Sequence, residues 1–154
     1  MPKIDITTAP VRVGNDYPAP FDAHGLTKGR QKLGDLAGLT QFGVNLLRLP
    51  PGEWSAERHW HTAEDEFVWV ISGEVTLVTD EGEQRLGPGD CAGFAAGSPN
   101  GHHLQNRSNV DAVLLEVGTR STVDACHYPD IDLHGAAHAY GWQHRDGTPY
   151  PPNE

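Results

Sequence analysis

Between residues 41 and 118, apolar side chains recur at every second position or in short unbroken runs. Glycine, proline and acidic residues separate these runs at intervals of about ten residues. QFGVNLLRL (41–49) predicts a strand, stopped by Pro50, Pro51 and Gly52. WSAERHWH (54–61) predicts a second. EFVWVI (66–71) is a continuous apolar run of β-formers, expected to be buried on both faces. EVTLVT (74–79) alternates, 84–86 is short, and CAGF (91–94), HHLQN (102–106) and AVLLEVGT (112–119) complete the set. Many short strands with turn signals between them predict an all-β sandwich or barrel.

The flanks break this rhythm. Pro10, Pro18, Pro20, Gly14, Gly25, Gly29 and Gly34 interrupt residues 1–40. This segment is expected to be an extended arm across the barrel, with a first strand near its end and room for a short helical turn at 27–33. Residues 119–154 hold four histidines and a Pro-rich end, with too few apolar side chains for a core of their own. They are expected to pack on the barrel as an extension.

Charge narrows the partners. The chain carries 21 acidic and 11 basic side chains, a net charge of −10. Such a surface repels phosphate backbones and anionic membranes, so neither nucleic acid nor membrane is an expected partner. A small anionic ligand stays open, because a buried metal ion reverses the local sign. The two cysteines, Cys91 and Cys126, form no C-x-x-C pair and suit reduced thiols, Cys91 as a small core residue. The first residues lack the apolar stretch of a secretory signal, and no apolar run approaches the ~20 residues of a membrane span. A cytoplasmic protein is the expectation.

The chemistry concentrates in two stretches. In the first, His59 and His61 flank Trp60. On a strand they share one face, roughly 7 Å apart. Thr62 to Asp65 can turn the chain, so Glu66 opens the returning strand with its carboxylate beside the two imidazoles. Two nitrogens and an oxygen suit zinc, manganese, iron, cobalt, nickel or copper. In the second stretch, His102 and His103 are adjacent. Neighbours on a strand face opposite ways, so only one can reach the same metal.

These stretches resemble the two motifs of the cupin superfamily. Gly52, the His59-x-His61 pair, Glu66 and Gly73 are similar to the first, with six residues instead of five between Gly52 and His59. Gly89, Gly97, His102 and Asn106 are similar to the second. There Ala95 stands where a proline is usual, and the gap from Gly97 to His102 is two residues longer. The resemblance implies a double-stranded β-helix, or jelly roll, and one divalent transition metal (Zn, Mn, Fe, Ni or Co) on His59, His61, Glu66 and His102. His102 is preferred over His103 because it stands four before Asn106. The flanking stretches HLQNRS, EVGTR and YPDIDL resemble a bacterial single-domain subgroup whose members carry names such as sugar or mannose-6-phosphate isomerase. The resemblance also implies a homodimer that shares sheet edges.

The function so implied is a metal-dependent enzyme acting on a small polar molecule, either isomerase-like or dioxygenase-like. A non-catalytic binding or sensing protein is the alternative. Glu66, Glu116 and His103 are the candidate catalytic groups. Glu116 is in phase with Ala112 and Leu114 on its strand and can face a cavity, or it can pair with Arg120 at the strand end. Gln105 and Asn106 can orient the metal-binding imidazoles. Arg48, Arg58 and Tyr128 can contact an anionic ligand or sit at the rim. His127, His134, His138 and His144 fit no standard metal spacing and suit a solvated extension.

Overall fold

The computed structural model describes residues 3–136 and 141–152. In chain order its elements are β1 (Arg12–Val13), β2 (Gly29–Lys32), α1 (Leu33–Leu36), β3 (Phe42–Leu49), β4 (Trp60–His61), β5 (Glu66–Ser72) and β6 (Val75–Thr79). They continue with β7 (Gly82–Leu86), β8 (Cys91–Phe94), β9 (His103–Gln105), β10 (Ala112–Thr119), β11 (Cys126–His127) and β12 (His134–Gly135). The strands form a six-stranded sheet in the order β1-β2-β3-β10-β5-β8 and two three-stranded sheets, β7-β6-β9 and β12-β11-β4. Every pairing is antiparallel. This is the jelly roll expected from the motifs. No helix among the described residues is long and apolar enough to cross a membrane.

The period-two pattern decides what lies inside. Leu47 and Leu49 of β3, Val68 and Val70 of β5, and Ala112 and Leu114 of β10 point inward. They meet Val75, Leu77, Leu86 and Leu104 from the facing sheet. These residues fill one end of the barrel. Toward the other end the same inward rows change character, to Asn45 on β3, Glu66 on β5 and Glu116 on β10. Register places Glu116 opposite both Asn45 and Val68. The site therefore sits where the apolar filling stops.

The β5 run is not buried on both faces. Val68 and Val70 are buried, but Phe67, Trp69 and Ile71 are 40%, 49% and 50% exposed. Nothing among the described residues covers the outer face of the sheet there. Cys91, in register with Trp69 on neighbouring β8, is exposed on that face and not in the core. The expected strand at 54–61 is also shorter. Bridges at Trp54–Gln105 and His59–His102 flank an irregular path, and only Trp60–His61 is regular.

One turn depends on glycine. Gly73 joins β5 to β6 at φ +76°, and a Cβ there would lie 2.5 Å from the Asp111 carbonyl oxygen and 2.7 Å from the Ala112 Cα. Gly73→Ala is therefore expected to cost about 2 kcal/mol or more, through both the left-handed backbone and the contact. Urea unfolding would read this as a lower midpoint at unchanged slope.

The flanking segments build the open end. β2 pairs with β3 in register from Gly29–Arg48 to Lys32–Asn45, so the expected turn near 27–33 is a strand, and α1 follows it as a single turn. Tyr17, Tyr128 and Leu133 form a second apolar cluster, joined by Phe21, Ile131, Trp142 and Tyr150. Trp142 Nε1 also donates to the Asp16 carbonyl at 2.7 Å. Segments from both sides of the barrel thus pack together at its mouth.

Candidate metal centre

His59, His61, Glu66 and His102 come together. β4 carries His61, a bridge to His102 holds His59, and Glu66 opens β5 across from them. His102 Nε2 lies 2.7 Å from Glu66 Oε2. His59 Nε2 is 3.6 Å from the same oxygen, and His61 Nε2 is 3.6 Å from Oε1. Donors bonded to one metal at about 2.1 Å lie roughly 3.0–3.4 Å from one another. The three distances fall to either side of that range. His59, Glu66 and His102 bring ligand atoms within 4.8 Å of one another, and His61 groups in the same way with Glu64 and Asp124. Three imidazole nitrogens and a carboxylate also suit a divalent transition metal in kind. By geometry and chemistry the residues fit the ion that the motifs imply.

The rings are held from behind. The second nitrogen of His59, Nδ1, lies 2.7 Å from the Glu57 carbonyl oxygen, and that of His61 lies 2.6 Å from Asp124 Oδ2. With a metal bound, an oxygen at each Nδ1 would select the tautomer with its proton there and leave the Nε2 lone pairs to the ion; without one, Nε2 can carry a proton toward Glu66. His102 is held differently. Its ring stacks on Phe94 with centroids 3.5 Å apart, and its buried Nδ1 meets no partner among the described residues. Burial works against a charge on Glu66. Hydrogen bonds from His102 and His59, with the charges of His59 and His61, outweigh it and hold the carboxyl well below the usual carboxylate range.

His103 points away from this cluster. Its Nδ1 is 3.0 Å from the Ala56 carbonyl oxygen, its Nε2 is 3.0 Å from the Gln105 amide, and its ring meets Trp54 edge-on. Burial pushes it down to about 4, so it is neutral at physiological pH. Glu116 faces the interior in a two-point pair with Arg30, at 2.7 and 2.9 Å; Arg120 pairs with Asp35 instead. Asn106 closes a turn, donating to the Leu49 and Val110 carbonyls at 2.7 and 2.8 Å. Arg58 is tied to Asp80 and Asp130, and Arg48 to Asp111. His127 stacks on Trp60, His134 packs against His127, and His144 pairs with Asp132. His138 lies outside the described residues.

Two groups near the cluster carry no signal in the sequence. Asp124 belongs to the loop before β11 and also accepts from the Ala63 N–H at 2.8 Å. Cys126 places its sulfur within 4.8 Å of ligand nitrogens of His59 and His61. Burial pushes its thiol up to about 12. A cavity of about 540 Å³ opens beside the cluster, with Lys28, Arg30, Asn45, Glu116 and Tyr128 among its walls. Its size suits a small molecule.

Comparison with known proteins identifies the family of this fold. The cupin domain family matches residues 45–118. A protein of Silicibacter pomeroyi, described as a sugar phosphate isomerase from a cupin superfamily, is 43% identical. The alignment covers 97% of each chain at a TM-score of 0.91. An Acidithiobacillus ferrooxidans protein provisionally described as a sugar phosphate isomerase is 28% identical over 82% of each chain, with a TM-score of 0.71. A polyketide cyclase of Streptomyces resistomycificus, 19% identical over 77% of this chain and 79% of its own, shares the fold at a TM-score of 0.63. No curated protein matches the sequence.

Proposed function

This chain belongs to the cupin superfamily, and from that premise we propose that it is a metal-dependent isomerase of a small phosphorylated sugar. The observation that carries the reading is the convergence of three imidazoles and Glu66 beside a cavity that also holds an inward carboxylate, Glu116. The likeness to the Silicibacter pomeroyi protein supports the choice of substrate class.

His59, His61, Glu66 and His102 would hold the ion. When bound, it would polarise the neighbouring carbonyl and hydroxyl oxygens of an open-chain sugar as a Lewis acid. The chain supplies the rest. Glu57 and Asp124 fix the tautomers of His59 and His61. Glu116 is a diagonal neighbour of Glu66 across β5 and β10, about 7–8 Å away. From there it takes a proton from the carbon bearing the hydroxyl and returns it to the adjacent carbon, while the hydroxyl proton passes to the former carbonyl oxygen; the two transfers together interconvert ketose and aldose. Arg30 holds both of its oxygens in place. Tyr128 and the apolar cluster behind it shield one side from water.

The test pairs metal analysis with a sugar panel. Protein purified without an affinity tag is expected to carry about one transition metal per chain. A His59→Ala/His61→Ala variant is expected to carry none. Loaded protein that interconverts no aldose and ketose phosphate would overturn the isomerase reading, and failure to take up any divalent ion would overturn the metal reading.

We also infer a homodimer, from the exposed Phe67, Trp69 and Ile71 on one sheet face. A contiguous apolar stripe marks an association surface. Trp69→Arg is expected to halve the mass seen in sedimentation at micromolar concentration, and a wild type that sediments as a monomer would refute the dimer.

A further inference from the structure

β2 carries a row of cations, Lys28 just before it and Arg30 and Lys32 within it, at every second position. All three line the cavity of the metal centre, joined by Arg12 and Arg120. Five of the 11 basic side chains of a chain with net charge −10 therefore border one cavity, including two of its three lysines.

Their pairing is unequal. Arg12 is matched by Asp16, Arg30 by Glu116 and Arg120 by Asp35. Lys28 and Lys32 have no carboxylate within ion-pairing distance among the described residues. Lys28 is only 4% exposed, and its Nζ donates to the Ser55 carbonyl at 2.6 Å. A buried ammonium whose direct partner is a carbonyl dipole, with the carboxylates of Glu116 and Glu53 acting only at longer range, costs stability. Burial, with Arg30 beside it, pushes Lys28 down to about 8, so it still carries its charge at neutral pH.

We propose that Lys28, Arg30 and Lys32 form the seat of the substrate's phosphate group, opposite the metal centre. The inference rests on the isomerase reading above and names the part of the cavity that selects phosphorylated sugars. β2 and β5 are separated by β3 and β10, a span of at most about 14 Å at ordinary interstrand spacing. Long arms from β2 on one side and imidazoles on the other shorten this span to the reach of a small sugar phosphate. Arg30 commits Nε and Nη2 to Glu116. It thereby links the group that recognises the anion to the group that moves the proton. Glu66 does not repel the ligand, because its charge is spent on the metal and the imidazoles.

The experiment is calorimetric titration of inorganic phosphate into metal-loaded protein at constant ionic strength. Wild type is compared with Lys28→Met/Lys32→Met and with Arg85→Met/Arg107→Met, which removes two surface cations far from the cavity. Phosphate affinity is expected to fall at least about tenfold in the first variant and to stay unchanged in the second, with metal content equal in all three. Lys32→Met alone, at an exposed position, keeps the test open if the double variant misfolds, and is expected to cost about threefold. Equal phosphate affinity in all proteins, or none in the wild type, would overturn the proposal. A kinetic arm separates it from its premise. Phosphate held by these lysines without turnover of any sugar would sink the isomerase reading and leave the anion seat standing. Equal use of phosphorylated and unphosphorylated sugars would sink the seat and leave the isomerase.

Discussion

Glu116→Gln is expected to lower turnover by about 10²- to 10⁴-fold, while the protein keeps its fold and its metal. The side chain is isosteric, and its carbonyl oxygen can still accept one of the two bonds that Arg30 gives Glu116 at 2.7 and 2.9 Å. What the amide cannot do is take a proton. KM should change little, because Glu116 contributes no donor to the metal shell. A merely structural role predicts the opposite pattern, with lower thermal stability and near-normal turnover per folded molecule. Turnover within a few-fold of wild type would remove Glu116 from the reaction.

Asp124→Ala is expected to weaken metal affinity by about 10- to 100-fold without changing the ligands themselves. Asp124 Oδ2 sits 2.6 Å from His61 Nδ1, and Oδ1 accepts from the Ala63 N–H. Without it, His61 loses the partner that keeps its proton on Nδ1 and its ring in line. The effect should appear in chelator competition, and Asp124→Asn should recover part of it by restoring an acceptor. Unchanged affinity in both variants would show that packing alone orients His61.

Both residues bear on what the sequence could reveal. The cluster of His59, His61 and Glu66 was readable because strand geometry is local. A two-residue spacing fixes the common face of His59 and His61, and a short turn brings Glu66 back beside them. The choice of His102 over His103 followed from its distance to Asn106, although Asn106 itself serves a turn and not the site. Asp124 was not readable, since it reaches His61 across 63 residues of chain. The Glu57 carbonyl is a backbone group with no signature at all. The lysine–arginine row of β2 was hidden for another reason. Glycines and prolines around it suggested an arm, and only pairing with β3 turns three scattered cations toward one cavity. The apolar run of β5 misled in the other direction, because a doubly buried strand and one with a bare outer face have the same composition.

The bond between Asp124 and His61 bears on modularity. The stretch that matches the family spans residues 45–118, yet the group that trains one of its imidazoles lies beyond it, and the cation row of β2 lies before it. The smallest fragment that preserves the centre is therefore nearly the whole chain. Grafting the motif-bearing barrel alone into another protein would transplant the ligands without their aim. Within the intact molecule, a cation seated on His61 and the ordering of the downstream segment would reinforce each other through a single carboxylate.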